Sequence, residues 1–116
     1  APIGPGLEEG DALVHELLTS FCSTDATYSK PFAAATFFSD YRHLLPKTTH
    51  PSLVIQSSND ALVAVEIGKY TKQHLQDAQL DIIEANGHCL HMTHPRQVLN
   101  SIESFLTPNW EAARPQ

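Results

Sequence analysis

Positive charge is scarce in this sequence. Seven Lys and Arg stand against 13 Asp and Glu, for a formal net charge of −6 and a pI near 5.5. A phosphate backbone is held by clustered Lys and Arg, and the seven here are scattered, which excludes nucleic acid as a partner. Long apolar runs are also lacking, so no segment is expected to span a bilayer and no membrane partner is expected. The opening Ala1-Pro2-Ile3-Gly4-Pro5-Gly6 has neither the basic region nor the apolar stretch of a signal peptide, making the cytoplasm the expected compartment. Cysteine is limited to Cys22 and Cys89, expected to be separate reduced thiols that pack as small hydrophobes. Internal repeats and low-complexity segments are absent. The hydrophobic fraction of 41% and charged fraction of 17% are those of a globular chain, and 116 residues suffice for one small domain.

The N-terminal part is helical in pattern. Leu13, Val14, Leu17, Leu18 and Phe21 form one apolar stripe after Gly10-Asp11. The acidic run Glu8, Glu9 and Asp11 suits the positive end of that helix's dipole. Ser23-Thr24-Asp25 breaks the pattern and offers caps for a second helix across residues 26–38. Pro31 favours a true start near Ser29, since proline sits best in a first turn. Asp40–Leu45 reads as a further short helix stopped by Pro46. Beyond Pro51 the period changes. Ser52–Gln56 reads as a buried strand running into a polar turn, Ser57–Asp60, and Val65–Leu75 as a helix. Leu80–Glu84 reads as a second strand stopped by Asn86-Gly87. A last helix opens at His94-Pro95, buries Val98, Leu99, Ile102, Phe105 and Leu106, and ends at Pro108; Trp110 docks in the tail.

This order, strand–helix–strand–helix, is that of a parallel α/β unit. Parallel sheets are covered on both faces and contain several strands, yet the chain supplies only two. Further strands are therefore expected from elsewhere, either an N-terminal segment or self-association. Functional groups in such sheets lie just beyond the carboxyl ends of the strands. Here those positions carry Asp60 and His88. Taken alone, Asp60 is an ordinary turn or cap residue and His88 an ordinary turn residue. Set side by side at neighbouring strand ends, they form a carboxylate–imidazole pair, the acid and base that activate a serine hydroxyl. Acid before histidine is also the chain order of a hydrolase triad.

Three stretches carry a resemblance: Ser20-Phe21-Cys22-Ser23-Thr24-Asp25, Ala35-Thr36-Phe37-Phe38-Ser39-Asp40-Tyr41-Arg42 and Gly87-His88-Cys89-Leu90-His91-Met92-Thr93. In this order they resemble the RsbQ-like α/β-hydrolases, bacterial stress-pathway regulators related to the plant strigolactone and karrikin receptors. The resemblance implies the C-terminal part of an α/β-hydrolase fold. Residues 1–45 would be lid helices and their return, 46–107 the C-terminal core with the last two parallel strands, and 108–116 a tail. It implies Asp60 as triad acid and His88 as triad base, with His91 and Met92 packed under the catalytic loop. It also implies a small apolar ester-like ligand, with a stress-signalling protein as partner.

The departure from the family lies in what is missing. The G-x-S-x-G nucleophile elbow is absent from the sequence, as is the upstream segment that supplies the oxyanion donors, so this chain alone is not expected to be an active serine hydrolase. Phe37 and Phe38, beside Tyr41, are candidates for an apolar substrate pocket and equally for lid-to-core packing. The run His88-Cys89-x-His91-x-x-His94 has the residue types of a metal site, but successive turn residues rarely converge on one ion, and neither metal nor cofactor is expected. Two readings follow: a hydrolase segment that completes a triad with an N-terminal segment, or a non-catalytic binding or regulatory module derived from that fold.

Overall fold

The computed structural model describes residues 12–113, with side chains described through residue 108. The acidic run Glu8, Glu9 and Asp11 and the side chain of Trp110 lie outside the described residues. The helices α1 (Ala12–Cys22) and α2 (Ala26–Phe37) come first, followed by a 3-10 turn, Arg42–Lys47. Next come β1 (Ser52–Asn59), α3 (Val65–His74), β2 (Ala78–Asn86), the short α4 (Leu90–Thr93) and α5 (Pro95–Ala113).

Prolines bound these elements less than their chemistry suggests. α2 begins at Ala26, not near Ser29, because the Asp25 carboxylate caps it by accepting from Thr27 N–H at 2.9 Å. Pro31 then sits in the second turn. It removes a donor and crowds the Thr27 carbonyl, but Thr27 lies on an exposed turn where solvent can serve that group. α5 likewise runs through Pro108 rather than stopping there, and the carbonyl released is that of exposed Ser104. Around Pro46 the chain is a 3-10 turn over Arg42–Lys47 rather than a helix over Asp40–Leu45. Its bonds, Leu44 N–H to Tyr41 O and Thr48 N–H to Leu45 O, do not use the proline nitrogen.

β1 and β2 pair in parallel, from Ser52 opposite Ala78 to Ser57 opposite Ile83. Both strands run past the ends expected for them. β1 continues through Ser57, Ser58 and Asn59, and β2 through Ala85 and Asn86. Side chains alternate across a strand, so Gln56 and its partner Ile82 face one way, and Ile55, Asp81 and Ile83 the other. α3 packs on the Gln56 face. Gly68 of α3 permits the approach, since a β-carbon there would lie 2.9 Å from Gln56 Oε1. α5 covers the opposite face, where Ser101 donates to the Asp81 carboxylate.

The core between these layers is thin. Ile83 and Leu90 are the buried hydrophobic residues among those described. Phe21, Phe32, Phe37 and Phe38 are each more than 70% exposed. The radius of gyration is 16.7 Å, against about 13 Å for a compact domain of this length. Stripe residues expected to be buried are only partly so: Leu18 is 58% and Leu99 56% exposed.

Candidate active site

Where the two strands end, side chains replace the backbone ladder. Between the Ser57–Ile83 and Asn59–Asn86 pairs, β1 advances two residues while β2 advances three, so β2 carries a bulge. Serine hydroxyls bond across it. Ser57 Oγ donates to Ala85 O at 2.8 Å, and Ser58 Oγ accepts from Ala85 N–H at 3.1 Å. Ser57 is 2% exposed, a buried hydroxyl whose donor is satisfied by Ala85. Beyond the bulge, Asn59 Nδ2 donates to Asn86 Oδ1 at 2.7 Å, and Gly87 N–H donates to Asn59 O at 2.8 Å. Gly87 turns the chain with φ 96°, in the left-handed region that a β-carbon disfavours. These contacts hold the two strand-end turns together, and Asp60 and His88 are the next residues along each.

The Asp60 carboxylate is nearly enclosed, its side chain 4% exposed, while that of His88 is 47% exposed. Asp60 Oδ1 accepts from Leu62 N–H at 2.8 Å and Val63 N–H at 3.2 Å, and Oδ2 faces His88 Nδ1 at 2.7 Å. Burial is the largest single influence on this carboxyl and pushes its pKa up. The hydrogen bonds from His88, Leu62 and Val63, together with the His88 charge, outweigh it, and the pKa ends below the ordinary 3.8. Asp60 is therefore ionised at neutral pH and only accepts. His88 Nδ1 must carry the proton, which leaves Nε2 as the basic nitrogen of the neutral ring. The arrangement is chemically able to take a proton at Nε2 and to stabilise the imidazolium that results.

The other candidates lie elsewhere. Phe37 and Phe38 pack edge-to-face with ring centroids 5.2 Å apart, 82% and 81% exposed. Phe37 lines a cavity of about 620 Å³ between α1 and α2 with Leu17, Phe21 and Phe32; the lining contains neither Phe38, Asp60 nor His88. His91 is exposed on α4 rather than packed under the loop, and Met92 is half-buried. His94 Nδ1 is 2.7 Å from Thr93 Oγ1. Among the described residues, no three His, Cys, Asp or Glu side chains are grouped to hold a metal ion. Cys22 is exposed and Cys89 half-buried, both as free thiols. Gln56, Ser57 and Ser58 do not stand out in the sequence as site residues. Their only signal is a polar run directly before the Asp, which by residue type reads as a turn.

No protein-family model matches the chain. Individual proteins do. A hydrolase from Oleispira antarctica is 44% identical, with a TM-score of 0.74, over 82% of this chain and 35% of that one. The biotin biosynthesis bifunctional protein BioHC of Teredinibacter turnerae is 39% identical over 67 residues, 58% of this chain and 12% of that protein. A probable esterase of Oryza sativa subsp. japonica is 28% identical over 100 residues, 85% of this chain and 37% of that protein. The chain thus spans well under half the length of each. No helix among the described residues is long and apolar enough to cross a membrane. With its parallel strands, the helices on both sheet faces and these similarities, the chain belongs to the α/β-hydrolase superfamily and carries part of that fold.

Proposed function

We propose that this chain supplies the acid, Asp60, and the base, His88, of a serine-type triad that is completed by a segment bearing the nucleophile and the oxyanion donors. One observation carries the reading: an enclosed, ionised carboxylate 2.7 Å from Nδ1 of a half-exposed histidine, at the ends of adjacent parallel strands. In the complete hydrolase, His88 Nε2 removes the serine proton as the hydroxyl attacks the ester carbonyl, and returns it to the leaving alcohol. Asp60 keeps the proton on Nδ1 and stabilises the charged ring. The aromatic cavity between α1 and α2 suits a small apolar acyl or alcohol group, with Phe37 in its lining and Phe38 against Phe37. The order of the three RsbQ-like stretches supports a stress-signalling role with a protein partner.

The test is turnover of p-nitrophenyl acetate by the complete hydrolase, this chain together with its nucleophile segment. His88→Ala should lower kcat by about a thousandfold or more, while His91→Ala and His94→Ala mainly change stability. Undiminished turnover in His88→Ala would leave the non-catalytic, regulatory reading in its place. Equal losses in all three variants with folding intact would instead point to a metal.

A further inference from the structure

Gln56 is a buried polar side chain that the triad reading leaves unused. It is 6% exposed and lies four residues before Asp60 in β1. Its Nε2 donates to Ser57 O at 3.1 Å and to Val63 O at 3.2 Å. The first carbonyl belongs to β1 and the second to the loop beyond it, which carries Asp60. Val63 is bound twice, since its N–H also donates to Asp60 Oδ1. The carboxamide and the carboxylate thus close the loop from its two sides. An amide nitrogen with two hydrogens can bridge two carbonyls, whereas a carboxylate or an apolar side chain cannot. Gly68 sets the position of the carboxamide from behind. A β-carbon at Gly68 would meet Gln56 Oε1 at 2.9 Å and Gln56 Cβ and Cγ at 3.1 Å.

We infer that Gln56 is a positioning residue, seated against Gly68, whose carboxamide fixes the Asp60 loop to β1 and so holds the carboxylate on His88 Nδ1. The inference rests on the triad reading above and adds to it the element that aims the acid. Asp60 approaches His88 from a loop rather than from the strand itself, and loops move more than the elements that bear them. Without the bridge, the loop after Asn59 keeps its Asx turn from Asp60 to Leu62 and Val63 but loses its anchor to β1. The carboxylate then spends less time on the imidazole. Ester binding, which involves other parts of the hydrolase, is left alone.

The experiment uses the complete hydrolase with p-nitrophenyl acetate, with folding followed by thermal melting. Two variants are compared: Gln56→Met and Gly68→Ala. Gln56→Met should lower kcat by about tenfold, roughly the effect of losing one net hydrogen bond, with KM essentially unchanged. The downfield proton resonance of His88 Nδ1 should broaden or move upfield, which simple destabilisation would not produce. Gly68→Ala should do the same by displacing the carboxamide. A folded Gln56→Met with wild-type kcat and an unchanged resonance would overturn the inference. Asp60→Asn in the same assay separates the two ideas. If it abolishes turnover while Gln56→Met does not change it, only the role of Gln56 falls; if Asp60→Asn is fully active, the triad reading falls with it.

Discussion

Replacing Asp60 by asparagine changes one atom's chemistry in a site whose shape should survive. The carboxylate accepts three hydrogen bonds: Leu62 N–H at 2.8 Å, Val63 N–H at 3.2 Å and His88 Nδ1–H at 2.7 Å. Asparagine has one carbonyl oxygen to serve them. Placed on the two backbone N–H groups, that oxygen keeps the Asx turn and presents the NH2 to His88. The imidazole must then offer a lone pair at Nδ1, so its proton moves to Nε2, the atom needed as base. Reversing the amide would set NH2 against two N–H donors. The wrong tautomer costs about 10⁴ in kcat where such a pair drives acyl transfer. The stability cost is smaller, about 1–2 kcal/mol at neutral pH, as charged hydrogen bonds become neutral or are lost.

That stability difference carries a pH signature. The Asp60 pKa lies below the ordinary 3.8 in the folded chain, so between the two values the unfolded state binds more protons and stability rises with pH. The advantage of the native Asp60 over the asparagine variant is fully present above 3.8 and disappears as pH falls through the native value. Ester turnover and denaturant melts of the complete hydrolase between about pH 2 and 7 would follow both effects, about four decades in rate and a difference that vanishes in acid. Turnover within about threefold of wild type in a folded Asp60→Asn variant, or a stability difference that grows in acid, would refute the reasoning.

Two further predictions concern the scaffold. Gly87→Ala forces a β-carbon onto φ 96° and should cost about 1–2 kcal/mol in a denaturant melt, whereas Asn86→Ala, one residue earlier, loses only its side-chain bond. This chain without its completing segment exposes Phe21, Phe32, Phe37 and Phe38 on α1, on α2 and just past α2, and its described residues form a two-stranded sheet with unpaired edges. It should sediment as self-associated species; a cooperative, sharply melting monomer would contradict that.

The pairing of Asp60 with His88 was legible in the sequence because their positions follow from strand ends alone. Asp60 and His88 each stand just past a β-branched run that ends in polar residues, and parallel pairing of the two runs brings them together. What set their distance was not legible. Ser57, Ser58 and Asn59 have the composition of a turn, but in the fold their side chains bond across the sheet to Ala85 and Asn86 and extend β1 by three residues. One-residue bulges leave no periodic trace, because they appear only once the partner strand's register is known. Pro31 and Pro108 misled in the opposite sense. Both lie inside helices on exposed turns, where the cost of a lost backbone bond is moderated by solvent. The α1 stripe is plainly apolar in the sequence, yet nothing local to it specifies what covers it. Leu18 and Phe21 remain exposed, and α1 with α2 forms a cavity instead of a packed layer.

The central claim is that His88, oriented by Asp60, is the base for a serine carried outside this chain. Its most direct test is the rate at which a fluorophosphonate labels the complete hydrolase, read by mass spectrometry of the modified peptide. The account predicts a single labelled serine in the completing segment, with His88→Ala slowing the labelling by about 10²–10⁴-fold while the fold is retained. Labelling at the wild-type rate in His88→Ala, or a labelled serine within this chain, would contradict it.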